Sequence, residues 1–194
     1  MIEGENTKQN HFSIIEGLVL SKTNGIGEFF ESIQGGYSVY PSADKMKALA
    51  ESFIDRISEP MFFFLELPKE DKDLKYDVYY LECTKAVAKA ILKRYGDLLI
   101  NDGVSRFGFG SHRNDEEIYF SSLQTVYIYT KRNSEFESDL EALGISSDKK
   151  LSASDKFDPE NDDIILVELD GETVFDIAEN LKSAGLYYDS TVEY

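Results

Sequence analysis

Tryptophan is absent from the 194 residues, cysteine occurs once (Cys83), and histidine occurs twice (His11 and His112). A single cysteine excludes an intrachain disulfide and fits a reducing compartment. Two histidines leave little material for zinc chemistry. A zinc site would need Cys83, a histidine and carboxylates, and no spacing in the chain supports one. Bases are scarce too, 20 against 37 acids, for a net charge of −17. That sign repels phosphate backbones, so no nucleic-acid partner is expected. The longest apolar run is Met61–Leu65, far short of the roughly 20 residues of a membrane span. The opening MIEGENTKQN has neither the basic nor the apolar region of a secretory signal. These absences predict a cytoplasmic protein with no membrane association, no metal and no cofactor. A chain of this length can bury roughly 70% of its unfolded surface, so the fold needs no staple.

What is present reads as an α+β chain. Residues 1–10 are expected to form a flexible tail and 11–194 a single domain, with 11–41 a small β meander at its edge. Met46, Leu49, Phe53 and Ile57 recur at helical spacing behind Ser42, which predicts a helix over 43–57. MFFFLELP (61–68) opens with a continuous apolar run, the pattern of a strand covered on both faces. YDVYYLE (76–82) alternates and pairs back on it across the charged loop KEDKDLK. Thr84 caps a second helix over 85–101. That helix stops at Asn101-Asp102-Gly103, where glycine accepts a left-handed backbone. Ser105–Ser111 and Ile118–Phe120 flank a polar turn as a hairpin, and LQTVYIYTK (123–131) follows as a strand. Ser134 and Glu137 make a capping box for a third helix ending at Gly144. Residues 146–162 are polar and irregular, and Ile164–Leu169 reads as a buried strand. Thr173 opens a fourth helix that stops at Gly185. Hairpins interrupted by single helices give a largely antiparallel sheet with about four helices packed on it, in two layers.

The stretch GVSRFGFGSHRNDEE (103–117) is the densest in special residues. As a strand it puts Phe107 and Phe109 on one face and Arg106, Gly108 and Gly110 on the other. Bare backbone at the two glycines lets another element, a ligand or another chain approach closely. The spacing is not G-x-G-x-x-G and no helix follows, so a phosphate loop is not expected. Ser111, His112 and the acids lie side by side on a turn, whereas a catalytic triad converges from a rigid frame. Arg106, Gly108, Gly110, Ser111, His112 and Arg113 are the candidate residues of a small-ligand or anion pocket. The simpler expectation for the turn is a solvated hairpin tip. Cys83 sits before a helix N-terminus, which lowers a thiol pKa; otherwise it is a small core residue.

DKFDPENDD (155–163) gathers Asp155, Asp158, Glu160, Asp162 and Asp163. It lacks the glycine and the closing glutamate of an EF-hand, so the expectation is a solvated acidic loop offering carboxylates to a partner's lysines and arginines. Residues 135–194 hold 17 acids and 4 bases, a net of −13. A field of that strength draws basic proteins in. Tyr127 and Tyr129 share one strand face, opposite Val126, Ile128 and Thr130. Tyrosine suits half-buried positions and binding hot spots. The expected function is non-enzymatic binding of a basic protein, in the manner of an immunity (antidote) protein that neutralises a toxin. The five loop acids would supply charge, and Tyr127 and Tyr129 anchors. The alternatives are the ligand pocket, or an enzyme built on it, at 103–117, and a structural domain of a larger assembly.

Overall fold

Seven of the eight residues of MFFFLELP are buried in the computed structural model, which describes residues 12–69 and 75–194. The tail 1–10, His11 and most of the KEDKDLK loop lie outside the described residues. In chain order the elements are β1 (Leu18–Val19), β2 (Phe29–Ile33), β3 (Gly36–Tyr40), α1 (Ala43–Arg56), β4 (Met61–Pro68), β5 (Lys75–Cys83), α2 (Lys85–Asn101), β6 (Arg106–Ser111) and β7 (Glu116–Ser121). Then come β8 (Thr125–Tyr129), α3 (Asn133–Ala142), α4 (Ala153–Lys156), β9 (Asp163–Ile164), α5 (Val174–Lys182) and β10 (Tyr187–Glu193). Eight strands form one sheet in the order β10-β5-β4-β6-β7-β8-β3-β2, and every neighbouring pair is antiparallel. β1 and β9 pair separately. The fold is α+β, as the hairpin pattern predicts.

Strand alternation divides the sheet into two unlike faces. Met61, Phe63, Leu65 and Leu67 of β4 join Phe107, Phe109, Ile118, Phe120, Val126 and Ile128 in the core. Against them lie Met46, Leu49 and Phe53 of α1, Ile91, Leu92 and Leu98 of α2, Phe136 and Leu140 of α3, and Ile177 and Leu181 of α5. Thr84 caps α2 as its sequence predicts, its hydroxyl oxygen accepting from the Val87 N–H at 3.3 Å. Phe62 and Phe64 point the other way and belong to no part of that core.

Several local expectations are corrected. Gly103 does not adopt a left-handed backbone. Its lack of a side chain serves a backbone crossing, because a methyl there would run into the Gly17 carbonyl, and one on Gly17 into the Gly103 backbone. The crossing is tied by Gly17 N–H to Asn101 O (2.7 Å) and Ile165 N–H to Gly17 O (2.9 Å). Ile164–Leu169 is not a buried strand. Asp163 and Ile164 pair with the two-residue β1, Leu169 makes an isolated bridge to Glu172, and Ile165, Leu166 and Leu169 are exposed. The sheet edge beside β5 is taken by β10, an element with no counterpart in the expected helix-and-hairpin order. Ser134 and Glu137 form no capping box, since the N-cap is Arg132, two residues earlier, with no side-chain cap, and Glu137 accepts from the Tyr37 hydroxyl. Within 146–162 the short α4 forms, because Ser152 and Asp155 make a capping box there. Within 11–41 only β2 and β3 join the main sheet, as an edge hairpin.

Candidate functional site

The sheet face turned away from the helices is lined with aromatic rings. On β4 the alternation sends Phe62, Phe64 and Glu66 there, opposite Gly110, Gly108 and Arg106 of β6. A methyl on Gly108 would strike the Phe64 ring and the Ile118 carbonyl, and one on Gly110 the Phe62 ring and the Glu116 carbonyl. The bare backbone at both glycines is therefore roofed by the protein's own phenylalanines, in cross-strand aromatic–glycine pairs. Gly108→Ala is expected to cost about 1–3 kcal/mol, because backbone and ring must both give. A urea midpoint unchanged from wild type would show that the ring moves freely.

His112 follows β6 and folds back onto this roof. Its ring stacks on Phe62, with centroids 4.6 Å apart, and its Nε2 shares a 2.6 Å hydrogen bond with the Tyr80 hydroxyl. Burial, with Glu82 adding to it, pushes the Tyr80 hydroxyl up to about 12, so it stays protonated. Farther along, Glu66 is buried, and both its oxygens accept from the Tyr194 hydroxyl, at 2.9 and 3.0 Å. The Tyr119 hydroxyl donates to it as well, at 3.1 Å. The Arg106 guanidinium lies between the rings of Tyr76 and Tyr194, 4.2 and 4.1 Å from their centroids, and 3.9 Å from Glu66. Phe62, Phe64, Glu66, Tyr80, His112, Tyr119 and Tyr194 wall an open groove of about 390 Å³, with Val78, Glu117 and Tyr129 completing its lining.

Glu116 and Glu117 are neighbours in sequence and face opposite sides of β7. Glu116 is buried toward the helices and accepts from Arg132 Nε (2.7 Å), Arg132 Nη2 (2.8 Å) and Thr130 Oγ1 (3.0 Å). Burial alone would raise its pKa, but the Arg132, Thr130 and Asn114 hydrogen bonds outweigh it and hold the carboxyl below the usual range. Glu117 lies half-buried in the groove, paired across strands with Gly110 and Tyr129. Among the described residues its carboxylate has no hydrogen bond and no ion pair. Burial, then the nearby Glu66, raises its pKa. The raised value favours the protonated carboxyl in the folded state, so stability falls as pH rises through the folded pKa. Glu117→Gln is accordingly expected to stabilise the fold at about pH 7 by about 1 kcal/mol, or about 2–4 °C. The gain vanishes below the ordinary glutamate range, at about pH 3.5, where both states are protonated. Melting curves at the two pH values check this; a loss of stability at neutral pH would mean that Glu117 has a partner in the folded chain.

The residues singled out from the sequence are dispersed. Tyr127 and Tyr129 lie on the open face, stacked on each other, and Tyr127 continues onto Tyr119. His112 and Arg106 adjoin the groove, while Gly108 and Gly110 lie beneath its roof. Ser111 points to the opposite face and donates to the Pro60 carbonyl. Arg113 lines a separate concavity of about 380 Å³ with Asp115, Lys131 and Arg132. The acidic loop lines neither. Asp155 completes the α4 capping box, Asp158 accepts from the Glu160 N–H, and buried Asp162 accepts from the Ser21 and Asp158 N–H groups. Glu160 and Asp163 are exposed. Sequence patterning did not single out Phe62, Phe64, Glu66, Tyr80, Glu117, Tyr119 or Tyr194. The period of two in F-x-F-x-E was legible, but the glycines it meets depend on strand order.

No serine or cysteine side chain is hydrogen-bonded to His112 among the described residues. Its polar neighbour is a phenol, the Ser111 hydroxyl donates to the Pro60 carbonyl although Ser111 and His112 line one shallow concavity, and Cys83 aligns with Met61 on the helix side. Burial, with Glu59 adding to it, pushes the Cys83 thiol up to about 11, outweighing the Ala88 N–H that lowers it. No group of three or more histidine, cysteine or carboxylate side chains suited to a metal occurs among the described residues, and none of their helices is long and apolar enough to cross a membrane. The arrangement suits the binding of rings, apolar chains and cations. Comparison of the chain with protein-family models, curated proteins and solved structures gives no match.

Proposed function

We propose that the chain is a non-enzymatic binding protein that docks a basic protein on its open aromatic face, in the manner of an antidote protein neutralising a toxin. One observation carries this reading. A sheet packed with helices on one side presents tyrosines on the other, above buried Phe62 and Phe64 and around a groove of about 390 Å³. Contiguous aromatic surface of this kind marks interaction sites. The net charge of −17 supplies the long-range attraction. The carboxylates of the 155–163 loop add to that field.

Affinity capture from the cells of origin tests this, run in parallel with wild type and Tyr127→Ala/Tyr129→Ala, at low and high salt. A basic protein should be retained by wild type, less so at high salt, and lost with the double variant. Equal retention by both proteins would remove the face from the reading.

A further inference from the structure

Glu117 is a half-buried carboxylate on the open face with no hydrogen-bond or ion-pair partner among the described residues. Every other charge near it is engaged: Glu66 with Tyr119, Tyr194 and Arg106, Glu116 with Arg132, and Asp115 with Lys131 at 2.8 Å. A half-buried carboxylate with no partner opposes folding, and the chain has donors close by that it does not direct there. Of the two basic side chains near the groove, Arg106 is held against Tyr76 and Tyr194, and His112 is held by Tyr80 and Phe62. Around Glu117 stand Tyr129 and Tyr119 on its strand and the next, with Phe62 roofing the glycine opposite.

The molecule shows on the same face what such a setting accepts. Arg106 lies between two tyrosine rings with a glutamate 3.9 Å away. The Glu117 corner offers the same components, tyrosines and a carboxylate, without the guanidinium. We infer that this corner is a subsite for an arginine side chain of the basic partner, with the guanidinium against Tyr129 and Tyr119 and paired to the Glu117 carboxylate. The inference rests on the binding role proposed above and names the group recognised. Arginine fits better than lysine, because a planar guanidinium both stacks on a ring and forks onto a carboxylate. The charge agrees: Glu66 and Glu117 both line the groove, and Arg106 stands beside Glu66.

The test is a titration of the full chain with a short capped Gly-Arg-Gly peptide, followed by NMR of backbone amides, tyrosine rings and glutamate carboxyls. Its counterparts carry lysine or citrulline, the latter a neutral isostere. The arginine peptide should shift Glu117, Tyr119 and Tyr129 together and saturably. Lysine should bind more weakly and citrulline not at all. Glu117→Gln should weaken the arginine peptide by about fivefold or more, in keeping with loss of a partly desolvated ion pair. Shifts confined to the 155–163 loop, equal binding of citrulline, or unchanged affinity in Glu117→Gln would each overturn the subsite. Capture of a basic protein that depends on Tyr127 and Tyr129 would leave the binding role standing in that event. Saturable arginine binding at Glu117 with no basic protein captured would instead sink the binding role and keep the subsite.

Discussion

Replacing Arg132 by alanine is expected to lower the unfolding free energy by about 3–5 kcal/mol at neutral pH. The cost comes from the residue left behind. Glu116 is 1% exposed and receives a two-pronged bond from Arg132, with Thr130 on one oxygen and Asn114 on the other. Without Arg132 a buried carboxylate keeps only neutral donors. The sign with pH follows from the depressed pKa of Glu116. Its contribution is present above the unfolded-state pKa and is lost as pH falls through the folded one, so the gap between wild type and variant narrows in acid. Glu116→Gln keeps the shape and removes the charge, and should cost less than Arg132→Ala. Urea unfolding of the three proteins decides it. A loss under about 1 kcal/mol for Arg132→Ala would show that water reaches Glu116.

One residue along the strand the expectation reverses. Glu117→Lys should leave the fold intact and weaken binding of a captured basic partner by about 100-fold or more at low salt. The side chain faces the groove, so lysine can extend its head into solvent. The variant places a cation where the account places the partner's guanidinium, and like charges at an interface cost several kcal/mol. High salt should narrow the difference. Circular dichroism and a binding isotherm separate the two effects; an affinity within about threefold of wild type would put Glu117 outside the interface. The contrast between the two glutamates is a direct result of strand alternation. The first is a structural anchor, and the second is a cost that the isolated fold carries, as binding and catalytic groups often do.

Local periodicity made much of this legible. The helices over 43–57 and 85–101 follow from their apolar spacing and the Thr84 cap, and the opposite faces of Val126 and Tyr127 follow from a period of two. The split between Phe107/Phe109 and Gly108/Gly110 is likewise local. What covers the glycines is not, because Phe62 and Phe64 reach them through the β4–β6 pairing, across an intervening strand and helix. The same limit hid the groove, whose lining comes from β4, β5, β7, β8, His112 and Tyr194. Ile164–Leu169 misled for a different reason. Four apolar residues in a row resemble a core strand, but burial depends on a neighbour, and β1 is only two residues long. Gly103 was noticed for its proximity to a helix end, whereas its partner, Gly17, lies far away in sequence.

The open aromatic face is most directly tested by photo-crosslinking in the cells of origin. A benzophenone amino acid would replace Tyr129 on that face or, as a control, exposed Val87 on α2. The account predicts a discrete adduct with a basic protein from position 129 and none from position 87. An adduct from position 87 alone would place the partner on the helical side and contradict it.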